Sequence, residues 1–143
     1  MQLVSRFLQL PTAQKLMALE ALATLIGVAI VLRCLPYRSW RNALKPPTAA
    51  RNATPSTDTL TTARQIGRSV AAVARNLPGH PQCLAQALAA RAMLKRRGIT
   101  SELNLGVSSD RAAINAHAWL AVGSQIVTGG PDVSGFSAFG KPV

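Results

Sequence analysis

From Ala13 to Leu35 the chain is apolar at nearly every position, and the spacing predicts one long helix entered at Pro11-Thr12. Its section Ala21–Leu32 runs twelve residues without a charge, between Glu20 and Arg33. A membrane-crossing helix needs roughly 20 such residues, so the run is short for that role. Glu20 and the absence of a small-residue cleavage site after Arg33 also speak against a secretion signal. The expectation is a buried helix, apolar on most sides, with a partner- or membrane-facing helix as the rival. Leu44 to Asp58 then turns to Pro, Thr, Ala and Asn and reads as a linker or surface loop.

A second helix is predicted from a cap at Asp58 or Thr59 to about Asn76. Leu60, Ala63, Ile66, Val70 and Val73 lie on its apolar side, and Arg64, Arg68 and Arg75 form a solvated face. Leu77 to Pro81 reads as a tight turn. A third helix spans Pro81 to Gly98, built from Ala, Leu and Met. Lys95, Arg96 and Arg97 suit its negative end, and Gly98 suits the left-handed closing residue. Its positions Cys83, Ala87, Ala90 and Leu94 share one stripe.

After Gly98 the period falls to two. Ile99, Ser101, Leu103, Leu105 and Val107 alternate as in a strand, Ser108 to Asn115 is a polar connection, and Ala116–Val122 is a second strand. Gly123-Ser124 makes a two-residue hairpin turn into Gln125–Val127. In an unbroken ladder Val122 then faces Gln125 and His117 faces Gly130. Asp132, two residues on, becomes a diagonal neighbour on the His117 face. The tail from Ser134 shows no clear period.

Length and composition set the class. At 143 residues the chain fits one domain, 1–143: an apolar helical segment (1–43), a linker (44–58) and a compact core (59–143). Sixteen Lys and Arg against five acids leave a formal charge of +11, which attracts an anionic partner. Nucleic acid is disfavoured, because neither zinc-finger spacing nor an RNP1-like aromatic-basic motif is present. Cys34 and Cys83 make no disulfide framework, no His/Cys cluster has metal-ligand spacing, and no cofactor is expected. A reducing cytoplasmic setting, with association to a membrane surface as an option, suits the free thiols.

The chemistry concentrates at Cys83. The first turn of a helix presents unpaired N–H groups and the positive dipole end, which favour thiolate. A helix-start Cys, a strand His and a later Asp follow the order nucleophile, base, orienting acid: Cys83, His117, Asp132. The plainer alternatives are a small buried hydrophobe, a strand histidine beside Trp119 and a turn aspartate after Gly-Pro. His80, three residues before the thiol, reads as a turn residue.

Three blocks, C-L-A-Q-A-L-A-A-R-A-M-L-K-R-R-G, L-N-L-G-V and A-H-A-W-L-A-V-G with a later P-D, resemble the lasso peptide biosynthesis B2 proteins. These are transglutaminase-like cysteine peptidases, and the apolar segment before Pro36 resembles their leading segment. The resemblance covers residues 15 to 135. It implies an α+β, papain/transglutaminase-like fold in which a central Cys-bearing helix packs on a small antiparallel sheet. It implies removal of the leader from a ribosomally made lasso precursor, with Cys83 as nucleophile and His117 as base. If the family's acid sits earlier in T-G-G-P-D, its position is Gly129 or Gly130, and the third role is vacant or falls to Asp132. The fused proteins of this family carry an N-terminal leader-binding domain, and nothing in this chain reads as one. The implied partners are the precursor leader, a separate leader-recognition protein of the B1 type and an asparagine-synthetase-like cyclase. Two other classes stay open: another transglutaminase-like acyltransferase or hydrolase, and a non-catalytic, basic, membrane-associated scaffold.

Overall fold

The computed structural model describes residues 11–45, 54–79, 82–110, 113–130 and 137–138. Helix α1 (Thr12–Cys34) is followed by a short α2 (Tyr37–Trp40) and a 3-10 turn (Arg41–Leu44). Helices α3 (Thr57–Asn76) and α4 (Cys83–Arg96) come next, then strands β1 (Glu102–Asp110), β2 (Ala113–Val122), β3 (Gln125–Thr128) and β4 (Ser137–Ala138). The strands form one sheet in the order β3-β2-β1-β4, with every pairing antiparallel. Helices α1, α3 and α4 pack on one another, and α4 lies on β2. This is the expected α+β architecture, with the Cys83 helix packed on the sheet that carries His117.

The helix termini follow from local chemistry. Ser56, not Asp58 or Thr59, caps α3. Its Oγ accepts from the Thr59 N–H at 3.2 Å, which satisfies a first-turn donor, while Asp58 sits in the first turn where the dipole favours it. Gly98 closes α4 at φ +69°. The Gly98 N–H reaches Lys95 O and the Ile99 N–H reaches Leu94 O, both at 3.0 Å, the paired bonds of a Schellman motif. Arg64, Arg68 and Arg75 lie exposed along α3, as their spacing predicts.

Helix α1 departs from the expected burial. Only Ala21 and Leu25 are buried, with Met17, Val28 and Leu32 packed partly against the core. Leu16, Leu19, Ile26 and Ile30 are 45% to 64% exposed and repeat at three- and four-residue intervals along the opposite side. A sequence apolar all round has no polar side to turn outward, so one apolar strip stays uncovered among the described residues. The uncharged run also understates the helix. All 23 residues are helical, the most apolar window reaches a mean hydropathy of 2.1, and by length and composition alone α1 is long enough to cross a membrane.

Glu20 shows how a charge fits into that helix. Arg97 Nη2 lies 2.6 Å from Glu20 Oε2, and Arg96 Nη1 lies 2.8 Å from Oε1. The positive end-group of α4 therefore holds α1. The Arg97 hydrogen bond and the charges of Arg97 and Arg96 keep the Glu20 carboxyl below the usual glutamate range, against a smaller upward push from burial. A carboxyl depressed in the folded state stabilises the fold above its unfolded pKa. That stabilisation is lost as pH falls through the folded value. Thermal melts between about pH 6 and pH 3 should therefore show a steeper loss in the wild type than in Glu20→Gln. Parallel curves would mean that the pair contributes nothing to docking α1.

The sheet departs from expectation at its ends, where β1 begins at Glu102 and not at Ile99 and Ser137–Ala138 adds a strand in the tail, and at two places within it. At 108–110 and 113–115 the polar stretch is strand, not a connection. Ser108 pairs with Asn115, Ser109 with Ile114 and Asp110 with Ala113, so β1 and β2 stay paired as far as Asp110 and Ala113. Backbone groups make a ladder whatever the side chains, so polarity does not end it. The second departure is a bulge. Val122–Gln125 and Ala121–Ile126 pair as counted from the Gly123 turn, but Leu120 pairs with Thr128. One extra residue enters β3 there, and the unbroken count that set Gly130 opposite His117, and Asp132 diagonal to it, fails at that point. Asp132, His80 and Pro81 lie outside the described residues.

Candidate active site

Cys83 is the first residue of α4 and is half-buried. Its N-cap, Gln82, adopts extended backbone angles and gives no side-chain hydrogen bond to the first turn. That side chain therefore leaves the helix-start N–H groups directed at whatever lies before them. Behind the thiol the stripe is packed: Ala87, Ala90 and Leu94 are fully buried. The body of the helix is anchored and its start is left partly open, as a positioned nucleophile requires. Cys34, at the end of α1, is exposed.

His117 sits on β2 opposite Gly106 of β1. Alternation gives β2 two faces. Leu120 and Val122 join Leu103 in the helix-packed core, while His117 shares the other face with Trp119. The two rings are stacked, with centroids 6.1 Å apart and planes 21° from parallel. Trp119 is itself buried. The structure thus joins the elements that carry Cys83 and His117 through the α4–β2 contact, and it sets the imidazole on the Trp119 side of the strand.

One partner of the imidazole is a residue whose position the sequence offered only as a vacant place for the acid, Gly129. His117 Nε2 lies 2.6 Å from the carbonyl oxygen of Gly129. A main-chain acceptor has no residue-type signature, so only the T-G-G break after β3 pointed to this place. Among the described residues no cluster of three His, Cys, Asp or Glu side chains is arranged to hold a metal.

Two large clefts lie elsewhere. One, of about 880 Å³, runs between α1 and α4 beside Trp40 and Arg91; the other, of about 960 Å³, lies between α1 and α3. Neither is lined by Cys83 or His117. Arg91 does structural work at the first. Its guanidinium donates to Ala43 O and, at 2.6 Å, to Lys45 O, pinning the 3-10 turn to α4. Burial lowers the pKa of Arg91, yet guanidinium stays charged at any ordinary pH.

No curated protein and no solved structure matches the chain. A family model described as Transglutaminase-like superfamily matches residues 22–139, from the middle of α1 to beyond β4, with Cys83 and His117 inside it. Members of that superfamily are in general cysteine-dependent enzymes, which agrees with a thiol at a helix start packed on a histidine-bearing strand. On that match, which runs over most of its length, this protein belongs to the transglutaminase-like superfamily.

Proposed function

We propose that this protein is a cysteine peptidase that removes the leader from a ribosomally synthesised lasso peptide precursor. The observation that carries the reading is Cys83 at the open first turn of α4, on a helix packed against the strand of His117, in a chain of the transglutaminase-like superfamily. The choice of substrate rests on the sequence resemblance of the Cys83 and His-Ala-Trp blocks. In this reading the proton of Cys83 passes to His117, and the thiolate attacks the scissile carbonyl. The imidazolium then protonates the leaving amine, and water, giving a proton back to the imidazole, releases the leader and restores the thiol. Incubating the protein with a lasso precursor and reading the products by mass tests it. Cleavage between leader and core supports the reading. Transfer of the acyl group to an added amine, in place of hydrolysis, would favour the acyltransferase alternative.

The leader is delivered in this reading by a separate recognition protein, and an asparagine-synthetase-like cyclase takes the product. The charge of +11 and the exposed Arg64, Arg68 and Arg75 on α3 suit docking to an acidic surface of that recognition protein. We place the protein in the cytoplasm. The exposed strip of α1 rests on anionic lipid, to which the exposed Arg33, Arg38 and Arg41 are complementary. Cleavage should rise at least about tenfold when the recognition protein is added, and the gain should shrink as salt screens the contact. Equal rates with and without it, at low salt, would show that this chain reads the leader itself.

A further inference from the structure

The cleft of about 880 Å³ between α1 and α4 falls within the usual size of a ligand pocket. Its walls are largely aliphatic: Val28, Val31 and Leu32 come from α1, Leu88 and Ala92 from α4, and Ile99 from beyond the end of α4. The helices leave room between them, since a Cβ built on Gly27 meets nothing within 4 Å. Three polar groups break that apolar lining. The indole Nε1–H of Trp40 is buried and has no hydrogen-bond acceptor among the described residues. A buried donor left unpaired is rare in folded proteins and marks a place for an acceptor. Arg91 is half-buried, donates to Ala43 O and Lys45 O, and pairs with no carboxylate among the described residues. Lys95, one turn farther along the same face of α4, pairs with none either. Glu20 is the only acid in the lining, and Arg96 and Arg97 hold it.

We propose that this cleft binds one acyl chain of an anionic lipid, its acidic head accepting from the Trp40 indole beside Arg91 and Lys95 and its chain lying along Gly27, Val28 and Leu88. The lining selects that class of ligand. An uncharged hydrocarbon leaves the indole N–H unpaired and the two cations without a counter-ion, whereas a small hydrophilic anion leaves the aliphatic walls in water. An acidic acceptor joined to a long aliphatic chain satisfies both parts. A lipid also has a way in. Ala23 and Gly27 line the cleft and are themselves exposed. Ala23 follows Leu19 by four residues and precedes Ile26 by three, so the cleft opens along the edge of the exposed apolar strip of α1. Neither Cys83 nor His117 lines the cleft, so the proposal stands whether or not the protein is a peptidase.

The test uses the full chain labelled with ¹⁵N, whose two tryptophans give two indole N–H signals, assigned by Trp40→Phe. Oleate, added below its micelle concentration, should move the Trp40 signal downfield, leave that of Trp119 in place and saturate at one equivalent. Oleoyl lysophosphatidate carries the same chain on a phosphate, and the tighter of the two probes names the head group. Oleyl alcohol has the chain without the charge and should bind at least about tenfold more weakly, as the loss of a charge-assisted hydrogen bond predicts. Lys95→Gln should weaken both anionic probes by about three- to tenfold for the same reason. Gly27→Leu puts a side chain into the open space and should abolish binding at an unchanged thermal midpoint, because Leu is a good helix former and nothing lies where its Cβ falls. A Trp40 signal that neither anionic probe moves would overturn the proposal. So would oleyl alcohol binding as tightly as oleate, or oleate binding that a folded Gly27→Leu does not reduce, which would put the probe on the outer strip of α1. Should Gly27→Leu not fold, the Trp40 signal and the oleyl alcohol comparison still decide. A peptide of alternating Leu and Glu that moves the Trp40 signal where oleate does not would assign the cleft to a protein partner and remove the lipid.

Discussion

Replacing Cys83 with alanine is expected to abolish leader removal while leaving the fold unchanged. Cys83 is half-buried at the first position of α4, and the residues that seat the helix, Ala87, Ala90, Met93 and Leu94, lie behind it. Removing one sulfur at a partly open helix start creates no large cavity, so the thermal midpoint should hardly move. The rate should fall on the order of 10⁵-fold or more, the scale on which an enzyme loses the nucleophile of a cooperating pair. Cys34→Ala should leave cleavage unchanged, because its exposed thiol ends α1 and lacks the helix-start setting of Cys83. In a Cys34→Ser background, iodoacetamide should label Cys83 readily near neutral pH, as a thiol in an electropositive helix-start setting does. Full cleavage by a folded Cys83→Ala variant would sink the enzymatic reading. An inert Cys83 in the labelling experiment would favour the scaffold alternative.

His117→Ala should be as damaging as Cys83→Ala, because nucleophile and base act as a unit and losing either loses most of the whole. His80→Ala should keep most of the activity. A reversal of the two effects would move the base to the turn before α4. A third arm addresses the geometry. His117 lies on the Trp119 face of β2, whereas Leu120 and Val122 face the helices. If thiol and imidazole form a working pair, His117→Ala must change the pH dependence of Cys83 alkylation as well as the cleavage rate. An alkylation profile that ignores the substitution would show that the two groups act apart, and the pair would have to be abandoned even if both variants were inactive.

Much of the framework was legible along the chain because it depends on local chemistry. The Gly98 stop of α4 follows from a left-handed residue after a run of helix formers and cations, and the observed bonds to Leu94 and Lys95 are those it predicts. The apolar spacing of α3 and the hairpin at Gly123 depend equally on neighbours in sequence. Cys83 in a first turn required only that the start of α4 be located. Tertiary structure decided what those local rules leave open. Which strip of α1 is covered cannot be read from a helix apolar on all sides, because burial depends on the elements that arrive from elsewhere; here they reach Ala21 and Leu25 and leave Leu16 and Ile30 outside. The pairing of 108–110 with 113–115 and the bulge before Gly129 are events of backbone hydrogen bonding, to which side-chain identity contributes little. The contact of His117 with Gly129 O belongs to the same class. A carbonyl is present at every residue, so its selection as the acceptor at position 129 depends on register, on a positive φ and on the wall of Trp119, all of which exist only once the strands have paired.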